Sequence, residues 1–122
     1  MKTALVIEDN DDNYALIRFL LERANYHVRH CSTGLAGVKL AITVPPDFII
    51  LDIQLPDIDG FTVLDKIRAH PAGDAIPVIA MTSYAMAGDR KRLMDAGCNG
   101  YIEKPIDPLE VINQIEQILA NI

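Results

Sequence analysis

The chain has 122 residues, half of them apolar, and a formal net charge of −6. This length suits one domain around a single core, which we expect to span residues 1–122. The negative charge disfavours non-specific binding to nucleic acid or anionic lipid, and no segment approaches the roughly 18 consecutive apolar residues that a membrane span requires.

Short apolar runs alternate along the chain with amphipathic stretches of about ten to fifteen residues, which predicts an α/β domain of five βα units around a parallel sheet. The predicted strands are Thr3–Ile7, His27–Cys31, Phe48–Leu51, Pro77–Met81 and Gly100–Ile102. The runs ALVI, FIIL and VIAM are typical of central strands that are covered on both faces, whereas the mixed run HVRH indicates an edge. With right-handed crossovers, the simplest order that places the apolar strands inside is 2-1-3-4-5.

Two of the stretches between the strands show helical periodicity. The first spans Asp12 to Ala24, and side chains that face the core recur at Tyr14, Ile17, Leu21 and Ala24. The last segment repeats this pattern at Leu109, Ile112, Ile115 and Leu119. We predict that both stripes pack against the sheet and that Pro108 occupies a first helical position.

Polar side chains follow the predicted strands at their carboxyl ends. They are Glu8 and Asp9 after the first strand, Asp52 after the third, Thr82 and Ser83 after the fourth, and Lys104 after the fifth. Open α/β sheets bind ligands at this edge, at the point where the strand order reverses, which here lies between strands one and three. We therefore expect Glu8, Asp9 and Asp52 to meet in that crevice.

Three neighbouring carboxylates repel one another unless a cation neutralises them. Oxygen ligands that converge on an open crevice suit Mg²⁺, which is commonly held by one or two carboxylates and a phosphate oxygen. The sequence therefore predicts a Mg²⁺ site, in which Mn²⁺ should substitute.

A calcium-binding EF-hand is an alternative reading, because two acidic windows are similar to its loop. The first window has Tyr14 and Leu20 where Gly and Glu are required, and the second has Leu55 and Lys66 at its first and last ligand positions. Neither window completes the motif.

Asp52 can act chemically if Thr82 and Lys104 converge on it. An ammonium and a hydroxyl beside a carboxylate and a cation can hold a tetrahedral anion during phosphoryl transfer. A lone aspartate after a strand more often caps a turn, but its predicted neighbours make Asp52 a candidate nucleophile that would form an acyl phosphate.

The segments VIEDN, LDIQLPDIDGF, VIAMTS and YIEKP resemble, in order and spacing, the motifs of the receiver domain of bacterial two-component response regulators. The resemblance covers essentially the whole chain. It implies a flavodoxin-like, doubly wound sheet with five helices, and a phosphoryl group that passes from a histidine kinase or a phosphotransfer-domain histidine to Asp52. It also implies that the metal is bound by Glu8, Asp9, Asp52 and the Gln54 backbone carbonyl.

By the same resemblance, Thr82 and Lys104 contact the phosphoryl group, and Thr82 moves inward while Tyr101 rotates into the released space. The Lys104–Pro105 peptide is expected to be cis. A downstream protein should read the face formed by the fourth helix, around Ala87–Ala96, with the fifth strand and Glu110–Ile122. The charged run Asp89 to Arg92 is expected to be a solvated part of that face.

Two other functions stay open at this point. A Mg²⁺-dependent aspartyl-phosphate phosphatase of the haloacid dehalogenase type uses similar groups, but it needs an aspartate two residues after the nucleophile, where this chain has Gln54. A docking module that works without phosphorylation would be expected to lack Asp52, Lys104 or one of the acids. The chain ends at Ile122 with the last predicted helix, so we expect it to pass the signal on by contact with another protein. It would be either a stand-alone regulator or the receiver of a hybrid kinase.

The two cysteines, Cys31 and Cys98, form no CxxC pair. We expect both to be reduced core residues, with neither zinc nor a structural disulfide. The opening residues lack the long apolar segment of a signal peptide, which favours a cytoplasmic location.

Overall fold

The computed structural model of the chain describes residues 1–83 and 87–122, without the side chains of residues 87–89. The predicted solvent exposure of Asp89 therefore lies outside the described residues. The strands are β1 (Thr3–Ile7), β2 (His27–Cys31), β3 (Phe48–Asp52), β4 (Val78–Thr82) and β5 (Gly100–Glu103). The helices are α1 (Asp11–Arg23), α2 (Gly34–Thr43), α3 (Gly60–Ala69), α4 (Ala87–Asp95) and α5 (Val111–Ala120).

The five strands form one parallel sheet in the order β2-β1-β3-β4-β5. This confirms the predicted topology, including the mixed strand β2 at an edge. In the register of the sheet, Ile7 lies opposite Leu51, and Asp52 lies opposite Met81. The carboxyl ends of β1, β3 and β4 therefore lie side by side.

Alternate residues of the central strands enter two core layers, as the two-residue period of a strand requires. On one face, Val6, Ile50 and Met81 pack with Ile17 of α1 and Ile115 of α5. On the other face, the strand side chains pack with α3 residues and with Leu93 of α4; they include Leu5, Ile7, Ile49, Leu51 and Ala80. Every residue of β3 and β4 is buried, which explains their unbroken apolar sequences.

Aspartates of the β3–α3 loop stabilise the starts of two helices. The Asp59 carboxylate accepts the Thr62 N–H at 2.9 Å and caps α3. The Asp57 carboxylate accepts the N–H groups of Gly34 and Leu35 at 2.8 and 2.9 Å, at the start of α2. These acids, part of the second EF-hand-like window, therefore serve as helix caps.

The start of the last helix differs from the prediction. Pro108 does not begin α5, because residues 108–110 form a turn and the helix starts at Val111. The Asp107 carboxylate accepts the Leu109 N–H at 2.9 Å, and the Asp107 carbonyl accepts the N–H groups of Glu110 and Val111. This hydrogen-bonded turn leads into α5, but the φ of −117° at Glu110 departs from the helical value, so the regular helix begins only at Val111. The prediction that Leu109 packs against the sheet is also wrong, since this residue is 88% exposed, whereas Ile115 is fully buried.

The cysteines differ in burial. Cys98 lies in the core, and burial raises the pKa of its thiol to about 11. Cys31 is only half-buried, and both thiols are free. Among the described residues, we find no helix with the length and apolar character to cross a membrane.

Candidate functional site

The three predicted acids meet at the carboxyl edge of the sheet. Glu8 and Asp9 follow β1, and Asp52 is the last residue of the adjacent β3. One carboxylate oxygen from each of the three lies within 4.8 Å of the others. Glu8 and Asp52 are only 4% and 5% exposed, whereas Asp9 faces solvent. The cluster therefore has a buried floor and an accessible rim.

Lys104 supplies the positive charge of this cluster. Its Nζ lies 2.8 Å from Glu8 Oε1 and 3.4 Å from Asp52 Oδ1. The Lys104 N–H donates to the Thr82 carbonyl at 2.9 Å, which fixes the start of the β5–α5 loop beside the end of β4. The following Lys104–Pro105 peptide is cis, as predicted. The ion pairs of Lys104 with Glu8 and Asp52 offset part of the cost of burying these two carboxylates.

The loop after β3 fixes the Asp52 carboxylate. The Gln54 N–H donates to Asp52 Oδ1 at 3.0 Å, and the Gly60 N–H donates to the Ile53 carbonyl at 2.9 Å. A Cβ at Gly60 would lie only 2.6 Å from Ile53 Cα. The close return of the loop therefore requires glycine at position 60.

Burial and mutual repulsion perturb the two buried acids. Burial is the largest cause that raises the pKa of Asp52 to about 7, Glu8 adds to it, and the Gln54 N–H and Lys104 oppose it. Burial also pushes the pKa of Glu8 upward, but hydrogen bonding with Asp52 and the Lys104 ammonium outweigh it, and the Glu8 pKa lies below its ordinary value. Without a further cation, Asp52 therefore takes up a proton at a much higher pH than an ordinary aspartate does.

The acidic residues fit a hard divalent cation. Glu8 Oε2 is buried and has no hydrogen-bond partner in the described structure, which is rare for a buried carboxylate oxygen. A metal ion bound to this oxygen would satisfy it. Oxygen ligands on an open crevice match the preference of Mg²⁺.

The remaining predicted residues lie either near this edge of the sheet or on the surface formed by α4 and β5. Thr82 ends β4 and is 3% exposed, while Ser83 and the Gln54 side chain face solvent. Tyr101 is half-buried on β5, opposite Ala80. Its ring lies 4.9 Å from the Arg90 guanidinium carbon of α4. Tyr101 therefore belongs to the α4–β5 surface and not to the acidic cluster.

Sequence reasoning missed two residues that hold the β1–α1 loop. The His30 ring nitrogen Nε2 lies 2.8 Å from the Glu8 carbonyl oxygen. The Tyr14 ring stacks on His30 with centroids 3.6 Å apart and planes 9° from parallel. The sequence assigned Tyr14 to a helix face and His30 to an edge strand, and no local pattern links residues so far apart in the chain.

A cavity of about 100 Å³ opens beside the cluster. Its polar lining comes from Glu8, Asn13, Asp52 and Lys104, and its apolar lining includes Met81. The buried carboxylate therefore has an accessible side.

Comparisons with known proteins show the family and the fold that the chain shares. The sequence profile of the response regulator receiver domain matches residues 4–116. The chain is 38% identical over 120 residues to the polar-differentiation response regulator DivK of Brucella ovis, with 98% of each chain covered. The receiver domain of the sensor histidine kinase PA1611 from Pseudomonas aeruginosa, solved with a magnesium ion coordinated in its active-site cleft, is 32% identical with a TM-score of 0.88 and 98% of each chain covered. The chemotaxis response regulator CheY4 of Vibrio cholerae shares the fold, with a TM-score of 0.92 at 20% identity over 97% of this chain and 98% of that one.

Proposed function

Because the chain belongs to the response regulator receiver domain family and is a signalling receiver of two-component systems, we propose that Asp52 accepts its phosphoryl group. The observation that carries this assignment is the convergence of Glu8, Asp9 and Lys104 on the buried Asp52 carboxylate. An isolated acid at a strand end would have no need of such neighbours. We also assign residues 1–122 to one receiver domain.

Glu8, Asp9 and Asp52, with the backbone carbonyl of Gln54, would hold Mg²⁺, or Mn²⁺ in its place. The unpartnered Glu8 Oε2 supports this assignment. When bound, the ion supplies positive charge against the phosphoryl oxygens. Its charge also favours the ionised form of Asp52, which is the form able to attack phosphorus.

The chain's own residues then perform the transfer. An Asp52 carboxylate oxygen forms a bond to phosphorus while the bond from phosphorus to the donor histidine nitrogen breaks, and the nitrogen keeps the electron pair. Lys104 neutralises charge on the phosphoryl oxygens, and the Thr82 hydroxyl donates to one of them. The donor ring takes up one proton from solvent, so the products are an acyl phosphate on Asp52 and a neutral imidazole. The same residues would let the chain catalyse its own phosphorylation by small acyl phosphates and the slow hydrolysis of the product.

The signal leaves the site through Thr82 and Tyr101. The phosphoryl group would draw Thr82 inward, and the half-buried Tyr101 would rotate into the released space, which shifts the population between two packings. Next to Tyr101, a groove lined by Arg90, Met94 and Ile118 crosses the surface of α4, β5 and α5. We assign this surface to a downstream protein partner in the cytoplasm and the accessible edge around Asp52 to a histidine kinase or a phosphotransfer domain.

The two alternatives gain no support from the geometry. Gln54 occupies the position where a dehalogenase-type phosphatase needs its acid, and its side chain faces solvent. Asp52 is the last residue of β3, whereas that class places its nucleophile at the end of the first strand. A docking module without phosphorylation gives no reason for Lys104 to lie between Glu8 and Asp52.

Intact mass after incubation with acetyl phosphate tests the proposal. We expect one added phosphoryl group on the wild type with Mg²⁺, and none with EDTA. The Asp52→Asn variant should gain nothing, while Asp65→Asn, the same change at an exposed position of α3, should be labelled like the wild type. Labelling of Asp52→Asn, or no labelling of the wild type with Mg²⁺, would contradict the assignment.

A further inference from the structure

His30 and Tyr14 form a clamp on the loop that carries two of the acids. His30 Nε2 lies 2.8 Å from the Glu8 carbonyl oxygen. Because a carbonyl oxygen only accepts hydrogen bonds, Nε2 carries the proton and donates it. The Glu8 N–H donates to the Cys31 carbonyl at 3.0 Å. Both peptide groups of Glu8 are therefore tied to the end of β2.

Tyr14 of α1, which follows the loop in the chain, contacts His30 and completes the clamp. It lies in the first turns of α1, where its N–H donates to the Asn10 carbonyl at 2.9 Å. Its ring covers the His30 imidazole at 3.6 Å, nearly parallel to it. The segment from Glu8 to Asn10 thus runs between two anchors that touch each other, so few rotations of its backbone remain open.

We infer that His30 is a positioning residue for the metal site, whose Nε2–H, held in place by Tyr14, fixes the Glu8 peptide so that the Glu8 and Asp9 carboxylates converge on Asp52. The inference rests on the proposed function, since it concerns the ligands of the proposed Mg²⁺ site. Partners that orient metal ligands through one hydrogen bond commonly change metal affinity by about 10- to 100-fold when they are removed.

Three substitutions separate the hydrogen bond from the stacking. His30→Phe keeps an aromatic ring for Tyr14 but cannot donate, His30→Gln keeps an N–H donor without the ring, and His30→Ala removes both. His27→Ala is the matched control, because His27 lies on the same strand and is exposed.

Isothermal titration calorimetry with Mg²⁺ measures the effect without any phosphoryl donor. We expect His30→Phe and His30→Ala to bind Mg²⁺ about 10-fold more weakly than the wild type, His30→Gln to stay within about 3-fold, and His27→Ala to be unchanged. Labelling by acetyl phosphate should need more Mg²⁺ for half-saturation in His30→Phe, yet reach the wild-type rate when Mg²⁺ saturates.

The outcomes separate the two proposals. If the wild type binds Mg²⁺ and His30→Phe binds it equally well, the positioning role is wrong while the proposed function stands. If His30→Gln loses as much affinity as His30→Phe, the hydrogen bond is not the cause and the inference also fails. If the wild type binds no Mg²⁺, the metal site of the proposed function is itself wrong. If His30→Ala fails to fold, the comparison between His30→Phe and His30→Gln still tests the positioning role.

Discussion

Replacing Asp52 with asparagine should stabilise the metal-free protein. The folded chain raises the pKa of this carboxyl from 3.8 to about 7, chiefly through burial. When folding raises the pKa of an acid, its protonated form stabilises the folded state. This stabilisation is fully present below the pKa of the unfolded chain and is lost as the pH rises through the pKa of the folded chain. Above pH 7, the ionised Asp52 therefore costs up to about 4 kcal/mol, of which the lowered pKa of Glu8 returns a part. We expect Asp52→Asn to raise the free energy of unfolding by about 2 kcal/mol near pH 8.

Urea unfolding in EDTA, at about pH 8 and at about pH 5, measures this gain. The gain should shrink at the lower pH, where the wild-type carboxyl is largely protonated. The Asp65→Asn control should change the free energy of unfolding by less than about 0.5 kcal/mol, as exposed positions usually do. Saturating Mg²⁺ should stabilise the wild type more than Asp52→Asn, because the ion binds the folded carboxylates. A variant that is less stable than the wild type at pH 8 in EDTA, or a gain that does not depend on pH, would refute the reasoning.

Substitutions at four further positions test the packing of the fold by the same urea unfolding. Arg68→Ala should cost about 3 kcal/mol, because this half-buried guanidinium donates to the carbonyls of Gly73, Ile76 and Gly97, each of which would lose a hydrogen bond. A cost below about 1 kcal/mol would contradict this expectation, and Arg68→Lys should restore less than half of the loss. Gly60→Ala should cost about 2 kcal/mol, because the added Cβ would lie 2.6 Å from Ile53 Cα. A variant as stable as the wild type would show that the loop can move to accommodate the methyl group. Ile115→Ala should cost about 3 kcal/mol, because Ile115 is fully buried, and Leu109→Ala should cost less than about 0.5 kcal/mol, because Leu109 is 88% exposed. Similar costs for the two variants would contradict the exposed position of Leu109.

The sequence was sufficient to predict the sheet and the acidic cluster. The unbroken run before Asp52 required a strand that is covered on both faces, and the mixed run of β2 required an edge, so only a few strand orders were possible. Glu8, Asp9 and Lys104 could then be placed because each follows a strand at its carboxyl end. Periodicity and topology together therefore predicted which side chains meet.

Side chain to backbone contacts between distant segments could not be predicted in this way. Asp57 caps α2, which lies 23 residues before it in the chain, and His30 reaches the Glu8 carbonyl across 22 residues. Such bonds depend on the distance between loops after folding, which no local pattern contains. The start of α5 was misjudged for a different reason. Residues 107–110 form a hydrogen-bonded turn that precedes the helix, and the φ of −117° at Glu110, which no sequence pattern indicates, delays the regular helix to Val111.

The ion pair between Lys104 and Glu8 joins residues that are 96 positions apart in the chain. Contacts of such long range form late, because closing a long loop costs entropy before the contact stabilises anything. During synthesis on the ribosome, Asp52 emerges well before Lys104, so a partly made chain carries the proposed acceptor without the Lys104 ammonium. Under the proposed function, the chain can therefore accept a phosphoryl group only after β5 has docked, so phosphorylation would depend on completed folding.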